Sequence, residues 1–173
     1  DISADAVTLD AVNGIGSGNS IETAIASLDA SVTGSAGIEI SESDAIDLVN
    51  VDTADGSITV NAGGQITATD VASGGGAGDD VTLNTTADGI IATLVSSVDQ
   101  VSLDADAGDI LVGSITAATT ATVNADAGSI NDAVDDSGAP VVDITAPTID
   151  LDAATGIGNT APLELSGTSL SAD

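Results

Sequence analysis

Carboxylates are the side chains here that could carry acid–base or metal chemistry, and four of them stand in a pattern. Asp104, Asp106 and Asp109 fall in the run Asp104-Ala105-Asp106-Ala107-Gly108-Asp109, and Asp126 follows Asp106 by twenty residues. Alternating acids before a glycine turn resemble the opening of a calcium loop, where a hard cation collects carboxylate and carbonyl oxygens. The EF-hand version fails, because its twelfth position would be Ile115 instead of Glu. The stretch Gly75-Gly76-Ala77-Gly78-Asp79-Asp80 begins like a calcium-binding nonapeptide but has no second copy. Calcium at Asp104, Asp106, Asp109 and Asp126 is therefore the one cofactor expectation.

Other chemistries lack their parts. The chain has no Lys, Arg, His or Cys. Ser-His, Cys-His and Ser-Lys nucleophile pairs are excluded, as are disulfides and thiolate metal sites. The glycine runs at 14–16 and 74–78 cannot form a P-loop, which needs a Lys. Two carboxylates at a fixed separation can hydrolyse a polysaccharide. Such sites also use aromatic platforms, and there is no Phe, Tyr or Trp. The expectation is a chain that is not an enzyme. Asn84-Thr85-Thr86 is a single glycosylation sequon.

The elements that hold these carboxylates are legible as a period. Val81, Val101 and Ala121 open three similar runs, VTLNTTADGII, VSLDADAGDIL and ATVNADAGSIN. Leu83, Leu103 and Val123 keep the spacing of twenty, and so do Ile90, Ile110 and Ile130. Upstream, Ile38, Ile40, Ile46, Leu48 and Val51 recur as Ile58, Val60, Ile66, Ala68 and Val71. A fixed period near twenty residues with a β-rich run in each copy marks a solenoid, whose coils bury their apolar faces only by stacking. The step from Ile58 to Val81 is twenty-three, and the glycine run 74–78 reads as a loop insertion. Residues 12–27 are the least regular. Ile21, Ala24, Ile25 and Leu28 have helix-like spacing, but an irregular loop-and-strand coil is favoured over a short helix. Residues 132–140 are polar and should break the ladder.

Stacking at this period sets Asp106 against Asp126 about 4.8 Å away. Their repulsion is roughly 1 kcal/mol in water and about 3–4 kcal/mol at an effective dielectric of 20, so a cation or outward splaying must relieve it. The column Asn84, Asp104 and Asn124 alternates amide and carboxylate, and reads as a structural ladder.

The formal charge is −28, from 28 acidic residues with no basic side chain. Such a surface repels phosphate backbones and anionic bilayers, which argues against nucleic acid as a partner. It attracts divalent cations. No apolar run reaches spanning length, so membrane insertion is not expected.

A longer repeat overlies the short one. Residues 1–31 align without gaps to residues 143–173, with 13 of 31 pairs identical, among them Leu9/Leu151, Gly14/Gly156, Ile15/Ile157, Glu22/Glu164 and Leu28/Leu170. Residues 1–142 read as one long repeat unit and 143–173 as the start of the next, within a single solenoid segment, 1–173. The opening at Asp1 and the absence of polar caps suggest a piece of a longer tandem array, or end-to-end self-association into filaments.

The phrases GIGSGNSIETAIASLDA, GIEISESDAIDL, VTLNTTADGII and VSLDADAGDIL resemble the repeats of giant secreted bacterial adhesins of the filamentous haemagglutinin type. That resemblance implies a right-handed parallel β-helix, an extracellular or cell-surface location and a shaft role. The lack of Lys, Arg and aromatics departs from that family and points away from receptor binding. The expected fold is thus an all-β, right-handed parallel β-helix of about eight coils. Its expected function is a structural repeat of a fibre or adhesin shaft. The alternative is a calcium-dependent β-sandwich module of a surface layer or adhesin, and the third is a polysaccharide-processing β-helix.

Overall fold

In a computed structural model, the described residues are 1–134 and 141–173. Among them there are twenty strands and no helix. The first two strands are long, β1 (Ile2–Ala11) and β2 (Ile21–Val32). Regular coils follow. The first holds β3 (Ile38–Glu42) and β4 (Ile46–Thr53), the second β5 (Ile58–Ala62), β6 (Ile66–Ala68) and β7 (Val71–Ser73). The third holds β8 (Val81–Thr85), β9 (Ile90–Ala92) and β10 (Val95–Ser97), and the fourth β11 (Gln100–Ala105), β12 (Ile110–Val112) and β13 (Ile115–Ala117). Then come β14 (Thr120–Ala125), β15 (Ser129–Asp132) and β16 (Ile144–Thr145), and after them β17 (Thr148–Ala153), β18 (Gly156–Ile157) and β19 (Leu165–Ser166). The last strand is β20 (Ser169–Ala172).

Each strand pairs in parallel with its counterparts in the coils before and after it. The first face runs β3, β5, β8, β11, β14, β17, β20. The second runs from the front of β4 through β6, β9, β12 and β15 to β18. The third runs from the back of β4 through β7, β10, β13 and β16 to β19. This is a three-faced β-solenoid of about eight turns with roughly 21 residues per coil. Among the described residues every strand pairing is parallel, so the β-sandwich fold of the alternative reading is not the one adopted.

The register follows from strand alternation. Val101, Leu103 and Ala105 point inward and are buried, while Ser102 and Asp104 stand between them at the surface. Residues twenty apart then stack on one another: Ile90, Ile110 and Ile130 form one inner column, and Leu83, Leu103 and Val123 another. All six are fully buried. Each such side chain contributes roughly 1.5–3 kcal/mol by leaving water. The narrow lumen is filled by Ala, Val, Ile and Leu, which is why a chain without aromatics has a core.

Insertions leave the ladder intact. The three extra residues before Val81 lie between β7 and β8, in the glycine loop, and the register of Ile58 on Val81 is kept. The second insertion separates β15 from β16, where Ile115 pairs with Ile144 across a step of 29. The expected break at 132–140 starts later than the polar composition suggests. Asn131 and Asp132 still pair, with Leu111 and Val112, and both are buried; residues 135–140 lie outside the described ones.

The region 12–27 is more regular than expected. β2 is one continuous strand of 12 residues in which Thr23 and Ile25 alternate inward. Ile21, Ala24, Ile25 and Leu28 fit a helix by spacing, but pairing with β1 and β3 on either side decides for strand. The turn before it is glycine-dependent: Gly16 has φ +67, and a Cβ there would press on the Glu39 carbonyl. The two copies of the long repeat take different faces. Leu9 lies on the third face and Leu151 on the first, while Ile15 pairs on the first and Ile157 on the second.

Candidate functional site

The four acids singled out by spacing lie on one stretch of the surface, and the carboxylates of Asp104, Asp109 and Asp126 are held by protein donors. Asp104 is paired in register with Asn124, whose Nδ2 donates to Asp104 Oδ1 at 2.9 Å and to Asp126 Oδ1 at 2.9 Å. A neutral amide therefore already sits between two carboxylates. Partial burial pushes the Asp104 carboxyl above its ordinary range. The neighbouring Asp126 and Asp106 add to this, and the Asn124 hydrogen bond opposes it. Asp106 and Asp126 occupy successive coils: their backbone N–H groups donate to the Thr85 and Ala105 carbonyls at 3.0 and 2.9 Å. Asp109 turns to the next coil, where Ser129 N and Ser129 Oγ each donate to Oδ1 at 2.8 Å. Those two bonds hold its carboxyl below the usual range, against a small opposing effect of burial. The amide ladder continues upstream, with Asn84 Nδ2 donating to Asn61 Oδ1 at 2.8 Å. The sequon asparagine thus uses its amide within the ladder.

A different set of acids converges. Among the described residues, the carboxylates of Asp132, Asp143 and Glu164 form the group in which three ligand oxygens lie within 4.8 Å of one another. Asp132 closes β15 on the second face. Asp143 and Glu164 each stand just before a third-face strand, and because Ile144 pairs with Leu165 they are stacked on neighbouring coils. Asp132 and Asp143 are 6% and 3% exposed and lie inside the corner, while Glu164 is half-buried at its edge. Val134 N donates to Asp132 Oδ1 at 2.8 Å, and Glu164 N donates to Asp143 Oδ2 at 2.8 Å. Asp132 Oδ2 and Glu164 Oε2 are buried with no hydrogen-bond partner. Burial first, then the nearby Asp132 and Glu164 carboxyls, push the Asp143 carboxyl up to about 6, although the Glu164 N–H pulls the other way.

Comparison with known protein families, curated proteins and solved structures finds no match for this chain. Its chemistry is read from its own residues.

The cluster escapes the period that reveals the fold. Asp132 and Asp143 flank an insertion, where the count of twenty fails. A signal was present: Asp143-Ile144 and Glu164-Leu165 repeat an acid followed by an inward aliphatic at a spacing of 21. Two buried carboxylates and a half-buried third can share a proton or ligate a hard cation. Their burial leaves no open cleft around them for a polymeric substrate.

A second buried acid is fully satisfied. Glu42, 4% exposed, accepts from Thr23 Oγ1 at 2.7 Å, Ile25 N at 3.0 Å, Ser43 N at 2.8 Å and Asp44 N at 3.3 Å. Burial favours the protonated form, but these bonds outweigh it and hold the carboxyl below its ordinary range. Glu42 is a structural connector between β2 and β3.

Proposed function

We propose that this chain is a mechanical module, a repeat segment in the shaft of an extracellular fibre or cell-surface adhesin. The observation that carries the reading is the continuity of the ladder. Parallel pairing runs from coil to coil on all three faces, over inner columns that are fully buried away from the two ends. Three sheets set around a common lumen resist bending together, since curving the stack must stretch one face and compress another. Both insertions fall between strands and leave the pairing in register. The outer surface carries one sign of charge. That charge discourages side-by-side aggregation of shafts and favours a cation atmosphere around them. The resemblance to filamentous haemagglutinin-type repeats supports the same role, with continuation in a tandem array or self-association as its mode of assembly. Catalysis has no part in the reading, because two of the three converging carboxylates are buried.

Immunogold labelling of intact cells with an antibody to this segment tests it. Gold along surface filaments is expected. Gold confined to the cell interior, or to compact isolated particles, would overturn the proposal.

A further inference from the structure

We propose that Asp132, Asp143 and Glu164 form a calcium site that staples the end of β15 to the starts of β16 and β19. The inference stands apart from the shaft reading, because it rests on the interior of one corner.

The first argument is unmet valence. Two oxygens, Asp132 Oδ2 and Glu164 Oε2, are buried without a donor. Leaving such oxygens bare is costly, and more so when they are ionised. The chain has no Lys, Arg or His to reach them. One proton shared between the two orphan oxygens removes only one of the three charges and leaves two carboxylates facing each other in the corner. A cation meets both oxygens and offsets two charges.

Geometry and donor type supply the second argument. Two oxygens bound to calcium at 2.3–2.6 Å can be no more than about 5.2 Å apart. One oxygen from each of the three residues lies within 4.8 Å of the others. Every donor is oxygen, which suits Ca²⁺, Mg²⁺ or Mn²⁺ and not the metals that prefer nitrogen or sulfur. Calcium fits best among these. It accepts irregular geometry and bidentate carboxylates, whereas magnesium demands a near-ideal octahedron and keeps several waters. Its two charges offset two of the three carboxylates.

The third argument is placement. The cluster spans the corner where long connections part the second face from the third, between β15 and β16 and again, at 158–164, between β18 and β19. In the coils from β6–β7 to β12–β13 that corner is crossed by two residues, as at Gly113-Ser114. A cation here would restore the short link that the insertion removes.

The test is calorimetric titration of calcium chloride into the 173-residue chain in about 0.15 M sodium chloride, where diffuse binding to surface acids is screened. One saturable site per chain is expected. It should weaken at least ten-fold in the double variant Asp143→Asn, Glu164→Gln and persist in Asp126→Asn. Hydrogen exchange gives a second readout on the unaltered chain. Calcium should slow exchange at Val134, Ile144 and Leu165 more than at the distant Ile58 and Val60. If the double variant does not fold, Asp132→Asn takes its place. No saturable site, a site unaffected by these changes, a site lost equally in Asp126→Asn, or protection spread evenly along the stack would each overturn the proposal.

Discussion

Replacing Ile110 by Ala should damage the stack far more than replacing its neighbour Leu111 by Ala. Both residues sit in the three-residue strand β12, and both are large aliphatics. Ile110 is fully buried and lies in register between Ile90 and Ile130. Leu111 points outward between Ile91 and Asn131. Removing three carbons from Ile110 loses roughly 2.4 kcal/mol of transfer free energy at about 0.8 kcal/mol per carbon. The cavity adds to this, and measured large-to-small changes in cores cost about 2–5 kcal/mol. Neighbours in the column are themselves fixed by ladder bonds, so little collapse is available, and about 3–4 kcal/mol is expected. Leu111→Ala should cost roughly 1 kcal/mol, because Leu111 is half-buried and its loss leaves no closed cavity. The assay is urea denaturation followed by far-UV circular dichroism, because a chain without aromatics has no useful intrinsic fluorescence. Hydrogen exchange at β9 and β15 would localise the damage to the flanking coils. Equal costs for the two variants, or a larger cost for Leu111→Ala, would refute the register.

Other outcomes follow from the same contacts. Glu42 has a folded-state pKa below its ordinary value, so its contribution is present above about pH 4.5 and is lost as the pH falls through the folded value. Glu42→Gln should cost roughly 1–3 kcal/mol at neutral pH and shrink the acid-induced loss, read from urea midpoints at neutral pH and near pH 3.5. Asn124→Asp should place a third charge between Asp104 and Asp126 and lower the melting temperature most at low ionic strength, and sodium chloride should recover much of the loss. A melt insensitive to salt would contradict that bridge. Gly128→Ala should destabilise the chain although its turn is at the surface, because the new Cβ would press on the Gly108 carbonyl; an unchanged midpoint would show that the turns can separate.

The fold was legible because a solenoid makes each inner column a spacing in sequence. Leu83, Leu103 and Val123 announce themselves by recurrence, and the structure stacks them. Where the local spacing was ambiguous, as at Ile21–Leu28, the neighbouring strands decided, and a single sequence does not display them. The acids were harder to read. Asp104, Asp106, Asp109 and Asp126 stand out through the regular period, yet regularity itself supplies Asp104 and Asp109 with partners from the next coil, Asn124 and Ser129, and Asn124 also serves Asp126. Asp132, Asp143 and Glu164 meet because an insertion shifts the count by a number of residues that no period predicts. Convergence in space there depends on the loop, and only the folded chain reveals it.

The most direct test of a rigid stack is a set of distances along its axis. The chain has no Cys, so paired spin labels can be placed without background. Glu39, Thr59, Thr82, Ser102, Thr122 and Asp150 form one outward column on the first face. With one label fixed at position 39 and the second moved down the column, pulsed electron spin resonance should return narrow distributions. Their centres should increase by about 4.8 Å per coil, reaching roughly 24 Å of axial separation at position 150. Broad distributions, or distances that fail to climb with coil number, would contradict the stacked shaft.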